Sequence, residues 1–367
     1  MPPPRPQGTL KATMLLAPLI LLGLPASVEP PATVPVGAPG EGGVAYPFRA
    51  GTFEVTNRQY ADFLNHAAVA SDTLGLWAPE MRITRDADPA EGGPVHYEPL
   101  PGSEDRPVQA VRWTDAARFA NWLHHGRPFG PPGPATTEDG AYPLAGQPWR
   151  TAERSPDARW FLLSEHEAAK ASRYDPATHT RRTYATGSDS TPTPATVDAD
   201  GRVTNPGPGT VNYLSRANWG GSTRGNVTVA GDCGAPSPWG THDMNGNVWE
   251  WTDTPFPDIV TNPDGSITTV AWNREIGGGS FGSTALNLRL FALVEEWDAD
   301  SRTPAIGFRV GSLCPPDFNA DGFLDFFDYA DFVTAFEAGD PATDLDFNGF
   351  VDLFDYAKFV DLFENCG

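Results

Sequence analysis

PWGTHDMNGNVWEWTD, residues 238–253, sets Trp249 and Trp251 behind a run of Gly and Asn that favours turns. The chain on either side is of the same kind, rich in Gly, Pro, Asn, Thr and Trp, with strands too short to delimit. So much irregular chain carrying so many aromatics points to an α+β domain held together by loop packing. In such a domain Trp249 and Trp251 are core side chains rather than a cofactor box.

The chain is large enough for this. Its 367 residues, 40% hydrophobic and 11% aromatic, can bury a substantial core in one large domain or two unequal ones. The formal charge of −22 argues against nucleic acid as a partner, because no basic stripe is present to neutralise phosphates. Cations or proteins are the expected partners. Residues 1–27 read as an export signal: Arg5 and Lys11 precede the apolar run Met14–Leu24, and the small residues Ala26 and Ser27 follow. That run is too short to span a bilayer, so the expectation is a secreted or cell-surface protein with no membrane span after cleavage; the rival is an uncleaved anchor. Residues 28–45, Pro- and Gly-rich without apolar periodicity, read as an extended linker, with order starting near Tyr46.

Three helices are expected before Tyr174. In EVTNRQYADFLNHA, Thr56 and Gln59 form a capping-box pattern, and Tyr60, Phe63 and Leu64 share one stripe. WTDAARFANWLHH repeats the design with Thr114 as cap, and Ser164 with Glu167 opens the third. His124 and His125 follow the second helix and read as neutralising its C-terminal dipole. Residues 126–149 and 175–208 read as long surface loops.

The segments FEVTNRQYADFLN (Phe53–Asn65), PVQAVRWTDAARFANWL (Pro107–Leu123), FLLSEHEAAKASR (Phe161–Arg173), the opening stretch, GGSF (Gly278–Phe281) and IGFRV (Ile306–Val310) occur in one order. Together they resemble the sulfatase-modifying-factor family of formylglycine-generating enzymes and their relatives, over residues 46–311. The resemblance implies a C-type-lectin-like fold poor in regular structure. It also implies a copper site formed by two cysteines three and eight residues after the Ser of Gly-Gly-Ser. Here those positions are Ser283 and Leu288, neither of which is a soft ligand for Cu(I), and Asn287-Leu288-Arg289 matches the cysteine-free relatives. No copper is therefore expected. Two readings follow: a ligand- or protein-binding module, or a diverged oxidoreductase like the family's non-haem iron relatives. Ser280 matches the family's active-site serine and equally reads as a turn cap. The family's calcium site maps onto Asp243, Gly246, Val248 and Glu250, oxygen ligands of the kind Ca²⁺ takes. A second family site would need, besides Asn218, an acid some fourteen residues on, and residues 219–231 supply none.

The C-terminal segment repeats itself: DFNADGFLDFFD begins at Asp317 and DLDFNGFVDLFD at Asp344. Each copy fills an EF-hand-type loop. The first offers Asp317, Asn319, Asp321, the carbonyl of Phe323, Asp325 and Asp328; the second offers Asp344, Asp346, Asn348, the carbonyl of Phe350, Asp352 and Asp355. Two such loops, each followed by a short helix, resemble a type I dockerin, a small all-α module over residues 315–367. The resemblance implies two Ca²⁺, a shared core of Phe332, Val333, Phe336, Phe359, Val360 and Phe363, and a cohesin-like or other cell-surface partner. The partner-choosing positions hold Phe326, Phe327, Leu353 and Phe354. Residues 315–367 carry 11 Asp, 2 Glu and 1 Lys, a net −12, so this segment should be largely unfolded without metal. Because the ends of a dockerin run close together, a Cys314–Cys366 disulfide is expected, leaving Cys233 free.

Overall fold

Two four-stranded sheets meet at one residue, Arg309, which separates the strand Ile306–Phe308 of one sheet from Val310–Ser312 of the other. The computed structural model describes residues 28–38, 40–68, 70–86, 95–144, 152–156, 158–289, 295–313, 318–319, 325–340, 343, 345 and 350–365. The first sheet runs Thr33–Val36, Phe48–Gly51, Val310–Ser312, Trp160–Leu162, all antiparallel. The second runs Glu295–Asp298, Ile267–Gly277, Trp249–Thr261, Ile306–Phe308, the last pair parallel. This is the mixed α+β architecture with few helices that the composition implied.

Thr33–Val36 corrects the linker expected over residues 28–45. Val34 and Val36 are followed by turns at Gly40, Gly42 and Gly43, which fold the chain back so that Thr33–Val36 pairs with Phe48–Gly51. The long hairpin Trp249–Thr261/Ile267–Gly277 is also more regular than the sequence suggested, because Pro255 and Pro257 sit at register shifts that absorb their missing N–H groups.

The three helices form where local signals called for them. α1 (Asn57–Ala67) and α3 (Glu165–Arg173) are closed by the Thr56/Gln59 and Ser164/Glu167 capping boxes. α2 (Trp113–His124) starts differently: its cap is Arg112, whose N–H donates to Asp115, while Thr114 is buried inside the helix. Arg112 and Arg302 both pair with the buried Asp115 carboxylate at 2.8 Å, a stronger claim on that end than a hydroxyl makes. Tyr60, Phe63, Phe119, Trp122 and Phe308 form a ring cluster between α1, α2 and the parallel strand. Two indoles lock α2 to the long hairpin: Trp113 Nε1–H donates to Thr252 O at 2.9 Å and Trp251 Nε1–H to Val111 O at 2.8 Å. Trp249 and Trp251 are core, as expected.

Towards the C-terminus, α4 (Ala285–Leu288) is a single turn, and α5 (Phe326–Glu337) and α6 (Leu353–Asn365) pack against each other. Phe332 and Phe359 are fully buried and stacked at 3.8 Å, and Tyr329 and Tyr356 share a hydroxyl–hydroxyl hydrogen bond. Among the described residues, no helix is long and apolar enough to cross a membrane.

Trp251 supplies both packing and a buried N–H donor. Trp251→Ala should lower unfolding free energy by about 3–5 kcal/mol, read by denaturant titration of the full chain. A change no larger than that of an exposed substitution would contradict this account of the core.

Candidate functional site

Chemistry-bearing side chains converge where Gly246 turns the chain into the long hairpin. Gly246 has φ +82°, and a Cβ there would stand 2.3 Å from Asn212 O, so no other residue fits. Asp243 and Asn247, at φ 57° and 56°, are left-handed too, a conformation that Asp and Asn tolerate best after Gly. The turn sets Asp243 and Glu250 near Glu54, which arrives just ahead of α1, and near Arg309.

Glu250 is committed to Arg309. Its carboxylate accepts from Arg309 Nε at 3.1 and 3.2 Å and from Nη2 at 2.8 Å, with both side chains buried. Asp243 Oδ2 accepts the Gly231 N–H at 2.5 Å. Glu54, 1% exposed, accepts from Asn247 Nδ2 through Oε1 at 3.1 Å, while its Oε2 has no partner. Three carboxylates thus face one guanidinium. Burial, reinforced by Asp243, holds Glu54 well above the usual carboxylate range, and burial pushes Asp243 up to about 6. Among the described residues, no three His, Cys, Asp or Glu side chains are grouped to hold a metal. The calcium expectation therefore rests on two carboxylates, Asp243 and Glu250, with the Gly246 and Val248 carbonyls.

The serine loop lies beyond the same turn, joined to it by Phe281 N–H donating to Asn247 O at 2.9 Å. Ser280 Oγ accepts the Gly282 N–H at 3.3 Å, and Ser283 Oγ accepts the Ser280 N–H at 2.9 Å, so both hydroxyls close turns. Leu288 is fully buried against Tyr184, Val211 and Tyr213, and its carbonyl accepts from Asn245 Nδ2 at 2.8 Å. Asn218 Oδ1 accepts the Gly225 N–H.

In the C-terminal repeats, Asp328 and Asp355 are both fully buried. Asp328 accepts the N–H groups of Asn319 and Asp325 at 3.2 and 2.9 Å; Asp355 accepts those of Leu345 and Asp352, both at 2.8 Å. Phe326, Phe327, Phe350, Leu353 and Phe354 are all exposed. Asp317, Asp321, Phe323, Asp344, Asp346 and Asn348, and Cys314 and Cys366, lie outside the described residues. Cys233 is free and buried.

Glu54, Asn247 and Arg309 were not singled out by the sequence. For Glu54 and Arg309 the signal was a charge inside an otherwise apolar segment, in FEV and IGFRV, where burial demands a partner; Asn247 carried no such signal.

Residues 29–312 match the sulfatase-modifying factor enzyme 1-like domain. The chain belongs to that family. Hercynine oxygenase of Mycobacterium tuberculosis is 26% identical over 221 residues, 57% of this chain and 38% of that protein, so the chain spans well under half of that relative. Among solved structures, Treponema denticola variable protein 1 is 17% identical with a TM-score of 0.42, covering 77% of this chain and 92% of its own. CarF is 19% identical with a TM-score of 0.42, covering 77% and 98%. PvdO from Pseudomonas aeruginosa is 17% identical with a TM-score of 0.39, covering 77% and 92%.

One further acid of the hairpin, Glu275, is buried with Oε2 unpartnered, and burial, with Glu165 nearby, raises it from its ordinary 4.5 to about 7. Between those values the native state keeps a proton that the unfolded chain has lost, so stability falls as pH rises through this window. Glu275→Gln should flatten the fall in melting temperature between about pH 4.5 and about pH 7. A fall of unchanged steepness in the variant would contradict the assignment.

Proposed function

We propose that this chain is an exported, calcium-dependent protein of two parts. Its large domain acts as a ligand- or protein-binding module on a C-type-lectin-like scaffold, and its C-terminal segment, read as dockerin-like, tethers it to an extracellular or cell-surface assembly. The observation that carries the first part is Leu288. At the position where the copper-using relatives place a thiolate, this side chain is sealed into an apolar cluster, and Ser283 at the other position spends its hydroxyl on the Ser280 amide. Neither site offers Cu(I) the soft ligand it prefers.

Calcium fits the residues present. Asp243 and Glu250 lie against one guanidinium, and the buried Glu54 beside them leaves Oε2 an orphaned acceptor. Asp243, Glu250 and the Gly246 and Val248 carbonyls would hold one ion, whose part is structural: it neutralises the acids and fixes the turn. In the C-terminal segment, the N–H groups of Asp325 and Asp352 make the same bond to Asp328 and Asp355, which supports two further loops of one design. There, closing the loops around two ions and folding the small core would be one event. The exposed Phe326, Phe327, Leu353 and Phe354 are apolar area of the kind that marks a protein interface, which supports a cohesin-like or other cell-surface partner.

A second reading, a diverged oxidoreductase, is favoured by the similarity to hercynine oxygenase. Purified chain incubated with copper, oxygen and a sulfatase-type cysteine peptide should form no formylglycine. Turnover above a protein-free control would overturn the binding reading, and iron co-purifying in stoichiometric amount would favour the second.

A further inference from the structure

The acid cluster at the Gly246 turn holds more acceptors than donors. Glu54 Oε2 is buried and accepts nothing, and so is Asn212 Oδ1. The two residues are linked: Asn212 Nδ2 donates to Asn247 Oδ1 at 3.1 Å, and Asn247 Nδ2 donates to Glu54 Oε1 at 3.1 Å. Thr228 N–H also donates to Asn247 Oδ1, at 2.9 Å, so the amide cannot be turned over without losing a bond. Glu54 is therefore held with Oε1 fixed and Oε2 buried without a donor. An orphaned buried acceptor is destabilising, and more so when it is charged. A donor supplied from outside the chain would remove that cost.

We propose that Glu54 completes the large domain's calcium site from outside the coordination sphere, its Oε2 accepting a hydrogen bond from water bound to the ion. Calcium commonly keeps water among its ligands, and outer carboxylates orient such ligands and add charge to the site. This inference rests on the reading that Asp243 and Glu250 bind calcium.

The full chain allows a selective test, because all 11 Trp residues precede residue 315. Terbium emission excited through Trp therefore reports the large domain even while the C-terminal loops also bind ions. The parent should show Trp-sensitised emission that calcium displaces. Glu54→Gln, which keeps shape and removes charge, should weaken terbium and calcium binding by about 10–100-fold without lowering the melting temperature in chelator. Were Glu54 only a structural acid, melting would shift equally with and without calcium while affinity stayed put, which would overturn the inference. If the parent binds, Asp243→Asn abolishes binding and Glu54→Gln binds like the parent, the Glu54 role falls and the calcium site stands. If the parent gives no displaceable signal, both fall. Should Glu54→Gln not fold, Glu54→Asp must bind more weakly than the parent, and parental affinity in that variant would overturn the inference.

Discussion

The guanidinium of Arg309 is the constraint around which the large domain is built. It stands between consecutive strands of two different sheets, and its donors reach three separate parts of the chain. They bind Glu250 in the long hairpin, Gly51 O in the first sheet at 2.7 Å and His242 O ahead of the Gly246 turn at 2.7 Å. With 1% of its side chain exposed, it can be charged there only because every donor direction is met. Two of the sequence segments thus meet at this cation: the one that carries His242 and Glu250, and IGFRV, which carries Arg309 itself.

A scaffold held in this way does not depend on what its serine loop carries. The Ser280–Leu288 stretch is tied down by its own hydroxyls, by Asn245 and by Leu288 packing, none of which touches Arg309. Copper thiolates can be absent from that stretch while the domain persists, which is why membership of the family leaves the chemistry open. The buried acids Glu54, Asp243 and Glu250 are a separate property of the same turn.

What was legible in the sequence was mostly local. Thr56 with Gln59 and Ser164 with Glu167 are three residues apart, so their capping boxes could be read directly. The start of α2 was misread because Asp115 is claimed by Arg302, a partner far along the chain. Thr33–Val36 was taken for linker because its pairing with Phe48–Gly51 needs a Gly-dependent return that carries no apolar period. Glu250 was assigned to calcium alone because its guanidinium partner lies 59 residues away. The aromatic contact of Phe332 with Phe359 was legible because two copies of one pattern must meet through equivalent side chains.

The clamp can be measured by a double-mutant cycle on Glu250 and Arg309, with unfolding free energies taken in chelator so that bound ions play no part. Each single change to Ala should cost about 3–5 kcal/mol, because each strands a buried charge. The double variant should lose clearly less than the two singles together, giving a coupling toward the upper end of about 0.5–3 kcal/mol. Losses that simply add would show that Arg309 and Glu250 stabilise the domain independently, and would contradict the account.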